Sequence, residues 1–263
     1  MPSAGTRGTH AKAQEALQQV IPKYTGTPKI ADETVRQVYQ QCQSILASHE
    51  LDGKTNLSQI YRGAFVNIGC ARHLKVFDTF KIIPEYCFSC YKVVIEPRTV
   101  VELIKLMLVF DRLELPSDNT RKCMVELRPE ISGTYKGYIF CKNFAEGKAV
   151  LNAVQPLVGE RISKKIPVSL KRGCSEYSMA YPEYGHVENN SPPLMTYNEE
   201  WREHEDYADK NLTGHIYPCV YGTRNHSGMT LCDALIMREW LAYAAAIGDA
   251  NYLVSPADGI ISA

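Results

Sequence analysis

The sequence predicts an α+β fold built on a ferredoxin-like βαββαβ sandwich, a four-stranded antiparallel sheet backed by two helices. Three observations lead there: short β-branched or alternating runs recur between positions 91 and 171, two capped apolar stretches separate them, and a Ser-Gly turn joins the middle pair.

The first run, 91–96 (YKVVIE), is β-branched and stops at Pro97. Thr99 with Glu102 three positions on has the capping-box pattern ahead of VVELIKLMLVF, so a helix follows the strand. Runs 122–128 (KCMVELR) and 135–141 (YKGYIFC) alternate on either side of Ser132-Gly133, which predicts an antiparallel hairpin. Asn143 and Glu146 open a second capped helix with the stripe Val150, Val154, Leu157 and Val158. Pro156 is expected to bend that helix or end it early. The run 166–171 (IPVSLK) closes the unit.

The flanks divide the chain into a helical region (1–84), the α+β core (85–175) and a C-terminal wrap with a helix packed on the core (176–263). Asp32 is a plausible N-cap for a helix whose apolar stripe is Val35, Val38, Tyr39, Cys42, Ile45 and Leu46, with Cys42 a core residue. Positions 57–80 read as helix interrupted near Gly69, where Cys70 and His73 share one helix face. Positions 176–197, rich in tyrosine, proline and asparagine, read as a wrapping loop, and 198–210 as a short solvated helix. Thr230 and Asp233 cap a last, almost wholly apolar helix through Trp240 to Ala246.

Composition narrows the function classes. The 263 residues hold 29 Lys plus Arg against 29 Asp plus Glu, so no global positive field draws nucleic acid or anionic membrane. No apolar run is long enough to span a bilayer, and the first residues lack the apolar core of a signal peptide, which predicts a cytoplasmic protein without membrane contact. In a reducing compartment nine cysteines are better explained as thiols, core residues or ligands than as disulfides.

The predicted topology gives those thiols a place. The first two strands start, and the last two end, at one edge of the sheet. Cys87 and Cys90 precede the first strand, Cys123 begins the second, Cys141 ends the third and Cys174 follows the fourth. Zinc and iron–sulfur clusters need three or four converging thiolates, and Cys87-x2-Cys90 supplies two from one turn. Glycine in Arg172-Gly173-Cys174 permits close backbone approach. The expected ligands are Cys87, Cys90, Cys141 and Cys174, with Cys123 in reserve and Arg172, Glu176 and Tyr181 as nearby polar groups. Cys123 and Cys141 also share strand faces with apolar residues and read equally as core. A metal-free redox pair at Cys87 and Cys90 is a further alternative, although these residues do not open a helix as thioredoxin-type motifs do.

A different function lies on the other sheet face. Lys136-Gly137-Tyr138-Ile139-Phe140 resembles the third-strand motif of RNA-recognition domains. The resemblance covers about 80 residues and implies outward Tyr138 and Phe140 as base-stacking platforms, with Lys92, Lys122, Lys136 and Lys171 for phosphates. The pattern departs at Ile139, Cys141 and Asn143, and the first strand carries Lys92 and Val94 where an aromatic residue is expected. Nucleic acid is therefore the less favoured partner. Cys219, His226 and Cys232 form a second group whose spacing matches no zinc module. Arg224 and His226 nearby are candidate anion and proton-carrying groups of a polar pocket. No phosphate loop, dinucleotide fingerprint, nucleophile elbow or His-Glu-x2-His helix is present, so no reaction is assigned.

Overall fold

Five strands form one antiparallel sheet in the computed structural model, which describes residues 4–20, 28–51, 53–55, 57–64, 69–187, 193–212 and 228–251. They are β1 (Gln59–Arg62), β2 (Tyr91–Ile95), β3 (Arg121–Val125), β4 (Tyr135–Cys141) and β5 (Val168–Arg172), side by side in the order β1-β3-β4-β2-β5. The α+β class agrees with the sequence. The expectation of four strands does not, because β1 lies within a stretch read as helix. Four residues are too few for a period to declare itself, and β1 is defined by its partner: Ile60 stands opposite Cys123 and Arg62 opposite Arg121.

The helices are α1 (Ala4–Gln18), α2 (Asp32–Ser48), α3 (Cys70–Phe80), α4 (Val100–Arg112), α5 (Phe144–Arg161), α6 (Ser175–Ala180), α7 (Pro182–Gly185), α8 (Arg202–Asn211) and α9 (Leu231–Ala246). Single-turn 3-10 helices occupy Glu85–Phe88 and Glu199–Trp201. The caps predicted for α4, α5 and α9 all form: the Thr99, Asn143 and Thr230 side chains accept from the backbone N–H groups of Glu102, Glu146 and Asp233. Asp32 does not cap α2. It is the first helical residue, after Ala31, and its carboxylate pairs with Lys105 of α4. Pro156 does not end α5, since the helix continues to Arg161; Pro156 itself is exposed. The first part of the loop expected over 176–197 is instead α6 and α7, with Tyr181 between them and Pro182 at the start of α7, where its missing N–H costs no helix bond; the described residues 186–187 and 193–197 are loop.

Strand parity decides what each face meets. Tyr91, Val93, Ile95, Cys123, Val125, Tyr135, Ile139 and Cys141 join the main core cluster beneath α4 and α5. Every α4 residue from Val100 to Phe110 is buried, because the helix lies against β3 and β4 on one side and α2 and α9 on the other. Each apolar side chain buried this way contributes about 1.5–3 kcal/mol. Gly137 lets α4 come close to the sheet: a Cβ there would overlap Leu106 Cδ2.

Residues of opposite parity, among them Lys92, Val94, Lys122, Lys136, Tyr138, Phe140 and Lys171, face the other way. Near one end of that face a smaller cluster of Phe77, Ile83, Cys87, Tyr177 and Tyr184 packs α3, the first 3-10 turn, α6 and α7 together. Val76, Ile82 and Ala208 tie α3 to α8. Among the described residues no helix is long and apolar enough to cross a membrane.

Candidate thiol site

The register brings the expected strand ends level. Tyr91 stands opposite both Cys141 and Arg172, so the residues before β2 and after β5 meet at one end of the sheet. Cys87, Cys90 and Cys174 line one small pocket there, and they share it with Cys70, His73, Tyr86, Gly173 and Tyr177. The pocket encloses about 270 Å³ with its mouth included.

Local bonding fixes the thiol-bearing backbone. Cys87 N–H donates to Pro84 O (2.9 Å) and Cys90 N–H to Cys87 O (3.2 Å), winding the Cys-x2-Cys step into a tight turn. Two further donors clamp it, since Tyr184 Oη donates to Cys87 O at 2.6 Å and Gly173 N–H to Cys90 O at 2.8 Å. Gly173 has φ +54°, and a Cβ there would fall 1.9 Å from Tyr184 Oη. Only glycine fits. Arg172 acts as a staple: its guanidinium donates to Phe88 O (3.0 Å) and Met195 O (2.9 Å) and lies over the Phe88 and Tyr184 rings. The other two expected polar neighbours serve the surroundings. Glu176 pairs with Arg128, and Tyr181 Oη donates to Lys81 O at the end of α3.

The electrostatics divide the pocket. Burial pushes the Cys87 thiol far up, against a hydrogen bond to Tyr177 Oη (3.6 Å) that pulls it down. Burial also raises Cys90, to about 11, and Cys70, with Lys92 opposing both shifts. His73 is lowered to about 4 by burial and then by Arg72, so its imidazole is neutral near pH 7, and its ring stacks on Tyr86 at 5.1 Å. Cys174 differs in having a cation beside it: Lys92 Nζ is 3.2 Å from its Sγ. Burial alone would lower Lys92; negative charge on Cys174 first, then on Cys90 and Cys70, acts the other way and outweighs it.

Two expected ligands lie elsewhere. Cys141 reaches the right end of the sheet on the wrong face, packed in the main core with its Sγ donating to Ile139 O at 3.8 Å. Cys123, 1% exposed, stands opposite Gly137, which is itself level with Ile95 at the far end of β2. Cys232 is half-buried in α9, while Cys219, Arg224 and His226 lie outside the described residues. Conversely, Cys70 and His73 join the site. Their helical spacing was visible in the sequence, but nothing local told that the first turn of α3 would reach the end of β2.

On the lysine-bearing face, Tyr138 and Phe140 are half-buried and have lysines over their rings, Lys122 at 5.4 Å and Lys92 at 5.3 Å. Lys136 pairs with Glu96, and Lys171 donates to Ser175 Oγ at 2.6 Å. Stacking platforms for bases would need those ring faces uncovered.

Among the described residues, no group of three or more His, Cys, Asp or Glu side chains is arranged to hold a metal ion as the side chains now stand. Comparison with family models, with curated proteins and with solved structures finds no match to this chain.

Proposed function

We propose that the chain binds a metal ion through Cys70, Cys87, Cys90 and Cys174. One observation carries the reading: four cysteines from three separate segments line the same small pocket. In this reading the unit from β2 to β5 is a ferredoxin-like sandwich with β1 added beside β3, and its topology is what gathers the thiol-bearing ends.

The chemistry of the donors supports a metal over a free redox pair. Three of the four thiols are pushed upward by burial. Such thiols are poor nucleophiles by themselves, whereas a coordinated ion deprotonates them outright. Coordination requires the sulfurs to turn onto a common point, a motion about one torsion per cysteine. The free centre of the pocket holds about one water-sized sphere, which favours a single zinc or iron ion over a cluster. Four sulfur ligands complete a tetrahedron, so the ion would tie α3, the Cys-x2-Cys turn and the exit of β5 together as a structural centre.

Anaerobic purification followed by metal analysis tests this. The expected result is about one zinc or iron per chain, lost in Cys87→Ser and Cys174→Ser and retained in Cys141→Ser. A chain that emerges without metal, and whose thermal stability does not rise when zinc or ferrous iron is added anaerobically, removes the reading.

A further inference from the structure

We infer that the sheet face turned away from α4 and α5 is a site for a small phosphate-bearing anion, a phosphate ester or diphosphate, held by Lys92, Lys122 and Lys171. The inference stands apart from the metal reading. Register places the three cations. Lys92 and Lys171 stand directly opposite each other on neighbouring strands, and Lys122, two strands along from Lys92, is opposite Tyr138. Like charges directly across a strand pair destabilise a sheet, so packing alone gives no reason to set Lys92 against Lys171. Each ammonium has three N–H donors and gives one to a side chain: Lys92 to Cys174 Sγ (3.2 Å), Lys122 to Gln59 Oε1 (3.0 Å) and Lys171 to Ser175 Oγ (2.6 Å). Among the described residues none of the three is ion-paired with a carboxylate.

The carboxylates near this face are held by other cations. Glu126 and Glu176 pair with Arg128, and Glu96 with Lys136. Burial first, and Lys92 second, work against charge on Lys122 and on Lys171, with Lys136 adding at Lys171. Cys70, Cys174 and Glu126 oppose this at Lys122, and Cys174 and Glu176 at Lys171, yet both lysines remain shifted downward. A bound anion supplies the opposite charge that the face lacks. Three ammonium groups suit a ligand with several acceptor oxygens and more than one negative charge, which a phosphate or diphosphate has and a lone carboxylate does not. Lys122 and Lys171 are half-buried, so solvent and ligand reach them. The ammonium groups over Tyr138 and Phe140 stand where a base would stack, which favours a small anion over single-stranded nucleic acid.

Inorganic pyrophosphate titrated calorimetrically into the full chain is the test. The expected result is a single class of site whose affinity falls with added salt and weakens about 10–100-fold in Lys122→Met and in Lys171→Met. Lys122→Arg and Lys171→Arg, which keep the charge, are expected to retain binding, as is Lys165→Met at an exposed lysine in the turn after α5. Lys122 and Lys171 donate to Gln59 and Ser175 and not to a thiol, so zinc or iron content is expected to be the same in these variants as in wild type. Pyrophosphate binding by a chain that takes up neither ion sinks the metal reading and supports this one. A wild-type chain that does not bind pyrophosphate, or binding that survives in both methionine variants, overturns the inference whatever the metal content. So does a single-stranded RNA oligonucleotide that binds through these lysines and that pyrophosphate does not displace, since the partner would then be a nucleic acid.

Discussion

Gly173 shows how one residue sets the site. Its φ of +54° is a left-handed conformation, and a methyl group would overlap the Tyr184 hydroxyl that clamps the Cys-x2-Cys turn. Gly173→Ala is expected to destabilise the chain by about 2–3 kcal/mol, through strain and displacement of Tyr184, measured as a lower urea midpoint. At this scale the sequence was partly legible. The Cys87-x2-Cys90 step and the glycine before Cys174 were local signals, and both belong to the pocket. Cys141 was placed by strand end alone, and parity then put its side chain on the opposite face from Cys174. Lys92 was visible only as one of several lysines on a sheet face. Its sulfur partner lies 82 positions away, which no local pattern encodes.

Among the elements, helix starts were the most readable. The side-chain cap is short-range chemistry, and the Thr230–Asp233 pair forms a full capping box at the head of α9. Thr230 is 3% exposed, so Thr230→Ala is expected to cost about 1–2 kcal/mol, visible as a lower thermal midpoint with unchanged helix content at low temperature. Elements defined by partners were less readable. β1 exists through its pairing with β3, and α6 and α7 hold their places through Tyr177 and Tyr184, which are fully buried in the small aromatic cluster. A segment rich in tyrosine and proline reads as loop until it is known what the tyrosines pack against.

Across the whole molecule, a buried ion pair joins distant parts of the chain. Arg62 in β1 donates to Asp233 in α9 (2.8 Å) and to Asp111 at the end of α4 (2.7 Å), with Arg62 and Asp233 almost wholly enclosed. Asp233 also accepts from Thr230 N–H, so one carboxylate serves cap and bridge together. Asp233→Asn is expected to cost about 3–5 kcal/mol by leaving a buried guanidinium under-compensated, while Arg62→Met with Asp233→Leu recovers much of that loss; denaturant titration of both variants measures the difference. The sequence identified Asp233 only as a cap, because its second role depends on bringing position 62 beside it.

The order of the strands has one more consequence. β1 and β5, the outermost members, are four and five residues long, and Pro167 immediately precedes the latter. Short margins offer a neighbouring molecule little template for extending the sheet, so the same arrangement that shapes the thiol corner also works against edge-to-edge aggregation.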